Sequence, residues 1–77
     1  MKFTAQQIAD RIEENQARGE RLCPALRWAY FDCFYPSWET FLEATTSLGI
    51  NPKTARIQFL AGVKEQKEMA LLDAQFA

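Results

Sequence analysis

Apolar residues recur at helical spacing in successive segments of the chain, and glycine or proline stands between the segments. In the first segment, Ala5, Ile8 and Ile12 share one face, and charged side chains occupy the opposite face. This segment begins at Thr4 with a capping-box motif and is expected to stop at Gly19. The pattern predicts a helix with one buried face.

The second segment, ALRWAYFDCF, is apolar around nearly its whole circumference, with Arg27 and Asp32 as its charged residues. It is predicted to begin with Pro24 as the first helical residue and to continue until Pro36. In a domain this small, such a helix is either the central helix or has a face that binds a partner. The sequence leaves both alternatives open.

Two further helices are predicted on either side of Gly49. Ser37 is expected to cap the third helix, WETFLEATTSL, with an inner face of Phe41, Leu42, Thr45 and Leu48. Asn51 is the expected N-cap of the fourth helix, and Pro52 its first residue. The fourth helix has a possible pause at Gly62 and then continues toward the C-terminus. The sequence therefore predicts an all-α protein, a small four-helix domain over residues 1–77.

The segment FLEATTSLGINPKTARIQFLAG, residues 41–62, resembles the helix-turn-helix of small bacterial, phage and plasmid DNA-binding regulators. Thr45 stands where that pattern usually has Ala, with Ala44 beside it. The residues that fit the pattern are Gly49, Ile50, Asn51, Thr54 and Ala55. The resemblance implies a helix-turn-helix over about 38–62, formed by the third and fourth helices, and the helical pattern continues as an extension over about 63–76.

In a helix-turn-helix, the second helix enters the major groove of double-stranded DNA. The residues expected to face DNA are Asn51, Lys53, Thr54, Arg56, Ile57 and Lys64. Lys53 and Arg56 are expected to contact phosphates or a guanine edge, and Asn51 an adenine or a phosphate. Thr54 has an alternative role at the helix N-terminus.

The net charge of −1, from 9 basic and 10 acidic residues, argues against strong non-specific binding to DNA. The distribution of charge favours a local interface, because residues 51–64 contain three cations and no acid. The acidic side chains are concentrated in residues 10–20. With so few cations a monomer is expected to bind DNA weakly, so a homodimer, which doubles the contacts with DNA, is expected.

Two surfaces are candidates for contact with a partner. Seven of the ten aromatic residues lie between Trp28 and Phe41, and aromatic side chains dominate both cores and interfaces. Within that cluster, Trp28, Tyr35 and Trp38 are candidate interface residues. Near the C-terminus, the candidates for dimer contact are Met69, Leu72 and Phe76. The aromatic cluster and the acidic first helix support an alternative function, a small protein-binding inhibitor or antirepressor of a mobile element.

The residue composition gives little support to other classes of protein. The chain has no histidine and no nucleophile or nucleotide-binding motif, so neither an enzyme, a cofactor nor a metal site is expected. Cys23 and Cys33 are expected to be reduced, mostly buried thiols. No apolar run is long enough to span a membrane and no secretory signal is recognisable, so a cytoplasmic location is expected. The sequence thus favours a sequence-specific, dimeric, DNA-binding transcriptional regulator of phage, plasmid or bacterial origin.

Overall fold

The computed structural model describes the backbone of residues 2–76 and the side chains of residues 2–74, and over this range it contains helices and no strand. The helices are α1 (Ala5–Ala17), α2 (Leu22–Asp32), α3 (Trp38–Ser47) and α4 (Pro52–Phe76). The predicted all-α fold of four helices is confirmed. Helix α1 packs against α2 and α3, and α4 packs against the same two helices, so the four surround one core.

Helix α1 begins and ends as its sequence predicts. The Thr4 hydroxyl accepts a hydrogen bond from the Gln7 backbone N–H at 3.2 Å, and the Gln7 side chain accepts one from the Thr4 N–H at 2.9 Å. This reciprocal pair is the predicted capping box. Ile8 and Ile12 are fully buried, and Gly19 follows the helix with a φ of 99°.

A buried polar side chain that the sequence pattern did not predict joins α1 to α2. The Asn15 amide nitrogen donates to the Ala25 carbonyl at 3.2 Å. The Asn15 amide oxygen accepts from the Arg18 guanidinium at 2.7 Å. Because a buried amide without partners is costly, these two hydrogen bonds explain how Asn15 is tolerated in the core.

Both predicted ends of α2 are wrong. The helix begins at Leu22, so Pro24 is its third residue, still within the first turn, where a backbone N–H has no partner in the helix. It ends at Asp32, before Pro36, because Phe34 and Tyr35 adopt left-handed φ angles of 56° and 59°. The Tyr35 N–H then donates to the Tyr30 carbonyl at 3.0 Å. This type of helix end commonly uses glycine, so its aromatic residues gave no signal in the sequence.

The core is rich in aromatic rings that meet around Tyr30. Its ring centroid lies 5.2 Å from that of Phe59 and 6.4 Å from that of Phe41, both in edge-on orientations. The Tyr30 hydroxyl donates a hydrogen bond to the Gln66 side chain at 3.0 Å. These contacts fix α2 against α3 and α4.

Helix α4 continues through Gly62 without a pause. Its 25 residues correspond to a length of about 37 Å at a rise of 1.5 Å per residue, close to the longest dimension of the molecule, 40 Å. Residues 67–74 are all exposed, so this end of α4 projects beyond the core. The described helices include none that is both long and apolar enough to cross a membrane.

The inner face of α3 agrees in part with the prediction. Phe41 and Thr45 are fully buried, as is Ala44, and Leu42 and Leu48 are half-buried. The prediction of mostly buried cysteines is correct for Cys33 and wrong for Cys23, which is exposed in the first turn of α2. The earlier start of α2 places Cys23 there, on the opposite side of the helix from Ala25.

Candidate nucleic-acid interface

Residues 48–51 form a tight connection between α3 and α4. The backbone N–H groups of Leu48 and Ile50 donate to the Thr45 carbonyl at 3.2 and 3.0 Å. Gly49 has a φ of 73°, which a residue with a Cβ adopts only with strain. Ile50 packs against the core. These four residues therefore reverse the chain and keep the ends of α3 and α4 in contact.

Thr45 and Ala55 are both fully buried, one on each helix. The Thr45 hydroxyl donates to the Leu42 carbonyl at 3.0 Å within α3. This bond satisfies the hydroxyl, so the substitution of Thr for the usual Ala leaves no unpaired polar group. A small residue at Ala55 allows the first turn of α4 to approach α3.

Asn51 caps α4 as predicted. Its side-chain oxygen accepts a hydrogen bond from the Lys53 backbone N–H at 2.8 Å, and its carbonyl accepts from the Ala55 N–H at 3.0 Å. The side-chain amide nitrogen of Asn51 makes no hydrogen bond with any described residue and is solvent-exposed. Asn51 therefore has a free donor beside the positive end of the α4 dipole.

Arg56 is held in place by an aromatic side chain of α3. Its guanidinium carbon lies 4.8 Å from the ring centroid of Trp38 and 5.8 Å from that of Phe59. A cation over an aromatic face is attracted by the ring quadrupole. The sequence did not predict this pair, because Trp38 and Arg56 are far apart in the chain and have no shared motif.

The other predicted DNA-facing residues lie along α4 at different heights. Lys53 is exposed in the first turn, Thr54 is half-buried, and Ile57 is 63% exposed. Lys64 is exposed, about 16 Å farther along the axis than Lys53 at a rise of 1.5 Å per residue. The first two turns thus bring together Asn51, Lys53, Thr54, Arg56 and Ile57, and Lys64 stands apart from them.

The candidate partner residues fall on separate surfaces. Trp28 is 53% exposed and Tyr35 is 44% exposed, and the half-buried Phe31 lies between them with ring centroids 6.4 and 5.9 Å away. We call Trp28, Phe31 and Tyr35 the aromatic row. Trp38 does not belong to it, since its ring packs on Phe59 at 5.4 Å and underneath Arg56.

Exposed apolar residues also occur just after α2 and on the projecting end of α4. Phe34, which the sequence analysis did not select, is exposed and has its ring 5.7 Å from that of Phe3. Met69 and Leu72 are exposed on the projecting end of α4. The side chain of Phe76 lies outside the described residues.

Burial raises the pKa of two side chains in the core. The pKa of the Cys33 thiol is raised mainly by burial, opposed by the charge of Arg11 and supported by that of Asp32. The pKa of Tyr30 is raised by burial and then by the neighbouring Tyr35. Both groups are therefore neutral at neutral pH, and the Cys33 thiol is not activated as a nucleophile.

No protein-family model, curated protein or solved structure matches this chain.

Proposed function

We propose that the protein is a sequence-specific, DNA-binding transcriptional regulator in which α3 and α4 act as a helix-turn-helix. The observation that carries the proposal is the N-terminal end of α4, where Lys53 and Arg56 are exposed while Ala55 and Phe59 of the same two turns are buried. This end of α4 follows a tight turn and contains no acidic residue. It combines the shape and the local charge that entry into the major groove requires.

Lys53, Arg56 and Asn51 have distinct roles in DNA binding. Lys53 and the α4 dipole attract a phosphate, which sets the position of the helix on DNA. Arg56 presents a planar set of donors suited to the two acceptors on a guanine edge. Asn51 donates its free amide N–H to a phosphate or a base acceptor. Packing of Arg56 on Trp38 restricts its rotamers before binding and lowers the entropy that binding removes.

Selection of bound double-stranded DNA from a random pool tests the proposal directly. We expect a short motif to be enriched, and the double variant Lys53→Ala/Arg56→Ala to bind that motif at least tenfold more weakly at fixed salt, a loss on the order of 1.4 kcal/mol or more. Circular dichroism and thermal unfolding establish that this variant remains folded.

The matched control is Lys2→Ala/Arg21→Ala, which removes two exposed cations outside α3 and α4. This control is expected to change DNA affinity less than twofold. The proposal is overturned by a selection that enriches no motif, or by equal losses of affinity in the two double variants.

The aromatic row supports a second candidate, a small inhibitor or antirepressor that binds another protein. Two exposed aromatic side chains joined through Phe31 form the kind of anchor that protein interfaces use. In that case Trp28→Ala abolishes capture of one defined protein from nuclease-treated lysate, while Lys53→Ala/Arg56→Ala leaves capture intact. The reverse pattern, DNA binding lost only with Lys53 and Arg56, supports the regulator.

A further inference from the structure

Helix α4 has a second face at heptad spacing, directly opposite the face that packs on the core. The inner face contains Ala55, Phe59, Gly62 and Gln66, at successive intervals of four, three and four residues. The outer face, separated from it by half a turn, has the same periodicity over five positions: Ile57, Ala61, Lys64, Glu68 and Leu71. We call these five residues the outer face.

Four of the five outer-face residues are exposed and Ala61 is half-buried, and the charges of the face are unpaired within the described residues. Ile57 and Leu71 are 63% and 65% exposed. Lys64 and Glu68 are exposed, and neither takes part in a salt bridge with a described residue. A face of apolar and oppositely charged side chains at heptad spacing is typical of a helix that pairs with another helix.

We propose that the outer face pairs antiparallel with the outer face of a second copy of this chain, about a twofold axis beside Gln66. In this register Lys64 lies opposite Glu68 of the partner subunit, and Glu68 lies opposite Lys64 of the partner subunit. Ala61 and Leu71 oppose each other in the same reciprocal way. The pairing is isologous, as a twofold dimer requires.

The charges determine the direction and the register of this pairing. A parallel pair in register places Lys64 opposite Lys64 and Glu68 opposite Glu68, which is repulsive. The antiparallel register instead forms two equivalent ion pairs, flanked at each end by apolar contacts. Charged residues at heptad core positions reduce stability and specify one register over others.

The neighbouring face of the projecting end suits self-association less well. Met69 and Leu72 follow Glu65 at heptad spacing, and Glu68 and Asp73 lie on either side of this line. Glu68 and Asp73 are exposed acids and no cation lies among these residues, so two copies of the face repel each other. Glu65 is also engaged with Arg27 of α2 at 3.8 Å.

The antiparallel dimer has a consequence for DNA that rests on the proposed function. Thr54 lies twelve residues before Gln66, so the two copies of the α4 N-terminus are separated by about 36 Å along the helix axes at a rise of 1.5 Å per residue. One turn of B-DNA separates half-sites by about 34–36 Å. In this arrangement Lys64 belongs to the dimer contact, and Asn51, Lys53 and Arg56 remain free for DNA.

Sedimentation velocity on the full chain without DNA tests the dimer through a charge exchange. Lys64→Glu and Glu68→Lys each place like charges opposite each other in a homodimer, so each variant alone is expected to dimerise at least tenfold more weakly than the wild type. An equimolar mixture of the two variants restores both ion pairs, and a heterodimer is expected. Ion pairing within one helix cannot produce this rescue on mixing.

Two alanine variants locate the contact on the helix. Leu71→Ala on the outer face is expected to weaken the dimer, and Met69→Ala, at a residue that is also exposed but lies on the neighbouring face, is expected to leave it unchanged. A mixture that stays monomeric, a wild type that is monomeric at every concentration, or a larger effect of Met69→Ala overturns the proposal. Because no DNA is present, these outcomes are independent of the selection experiment that tests DNA binding.

Discussion

Gly62 lies where α4 packs closely against α2. A Cβ built on Gly62 lies 2.5 Å from Cδ1 and 3.0 Å from Cε1 of Tyr30. The rings of Phe41 and Phe59 pack on Tyr30, which restricts movement of its ring. Glycine is therefore needed for helix contact, although it lowers the intrinsic stability of a helix interior by about 1 kcal/mol relative to alanine.

Gly62→Ala is expected to lower the free energy of unfolding by about 1–3 kcal/mol, since overpacking outweighs the gain in helix propensity. Urea denaturation measures the change. Ala70→Gly, at an exposed position of the same helix, is the control for propensity alone. A variant Gly62→Ala that is more stable than the wild type contradicts the close contact with Tyr30.

Phe34 has a left-handed backbone conformation that a Cβ disfavours by about 1–2 kcal/mol. Phe34→Ala and Phe34→Gly both remove the ring contact with Phe3, but only the glycine variant relieves the backbone strain. We expect Phe34→Gly to be more stable than Phe34→Ala by about 1 kcal/mol in thermal unfolding. Equal stability of the two variants argues against a positive φ at this position in solution.

Helix ends were predicted correctly where the chain has the residue types that usually mark them. The capping box at Thr4, the cap at Ser37 and the start of α4 at Asn51 were all predicted and are observed. The end of α2 was mispredicted because Phe34 and Tyr35 take conformations normally indicated by glycine or asparagine. Gly62 was considered a possible pause in α4, and in the structure it is a contact between α4 and Tyr30 of α2.

Asn51 allows the structural and functional roles of the α4 N-terminus to be separated. Asn51→Asp retains a strong N-cap and is expected to change the free energy of unfolding by less than about 0.5 kcal/mol, whereas Asn51→Ala lowers it by about 1 kcal/mol. DNA affinity is expected to fall in both variants, and more in Asn51→Asp, because its carboxylate repels phosphate. Calorimetry and a binding titration measure the two effects. Unchanged DNA binding in Asn51→Asp removes Asn51 from the proposed interface.

For the molecule as a whole, the sequence indicated which residues of α4 are exposed but not which tertiary contacts they make. The alternation of exposed Lys53 and Arg56 with buried Ala55 and Phe59 follows from helical periodicity. The stacking of Arg56 on Trp38 and the separation of Trp38 from the aromatic row are tertiary contacts. No local pattern encodes them, because they depend on how α3 and α4 pack.

The salt dependence of DNA binding measures how many cations the assembled protein places on phosphates. A dimer that uses Lys53 from each copy for phosphate contact neutralises about two phosphates, which predicts a slope of about −1.8 for log K against log salt concentration. A monomer gives about half that slope.

Lys53→Ala is expected to make the dimer slope shallower by about 2, and Arg21→Ala, on an exposed residue outside α4, is expected to leave it unchanged. A fluorescence titration of the selected DNA over a range of salt concentrations provides the slopes. A wild-type slope near zero contradicts phosphate contact by α4 altogether, and a slope of about −1 that is insensitive to Lys64→Glu contradicts binding as the antiparallel dimer.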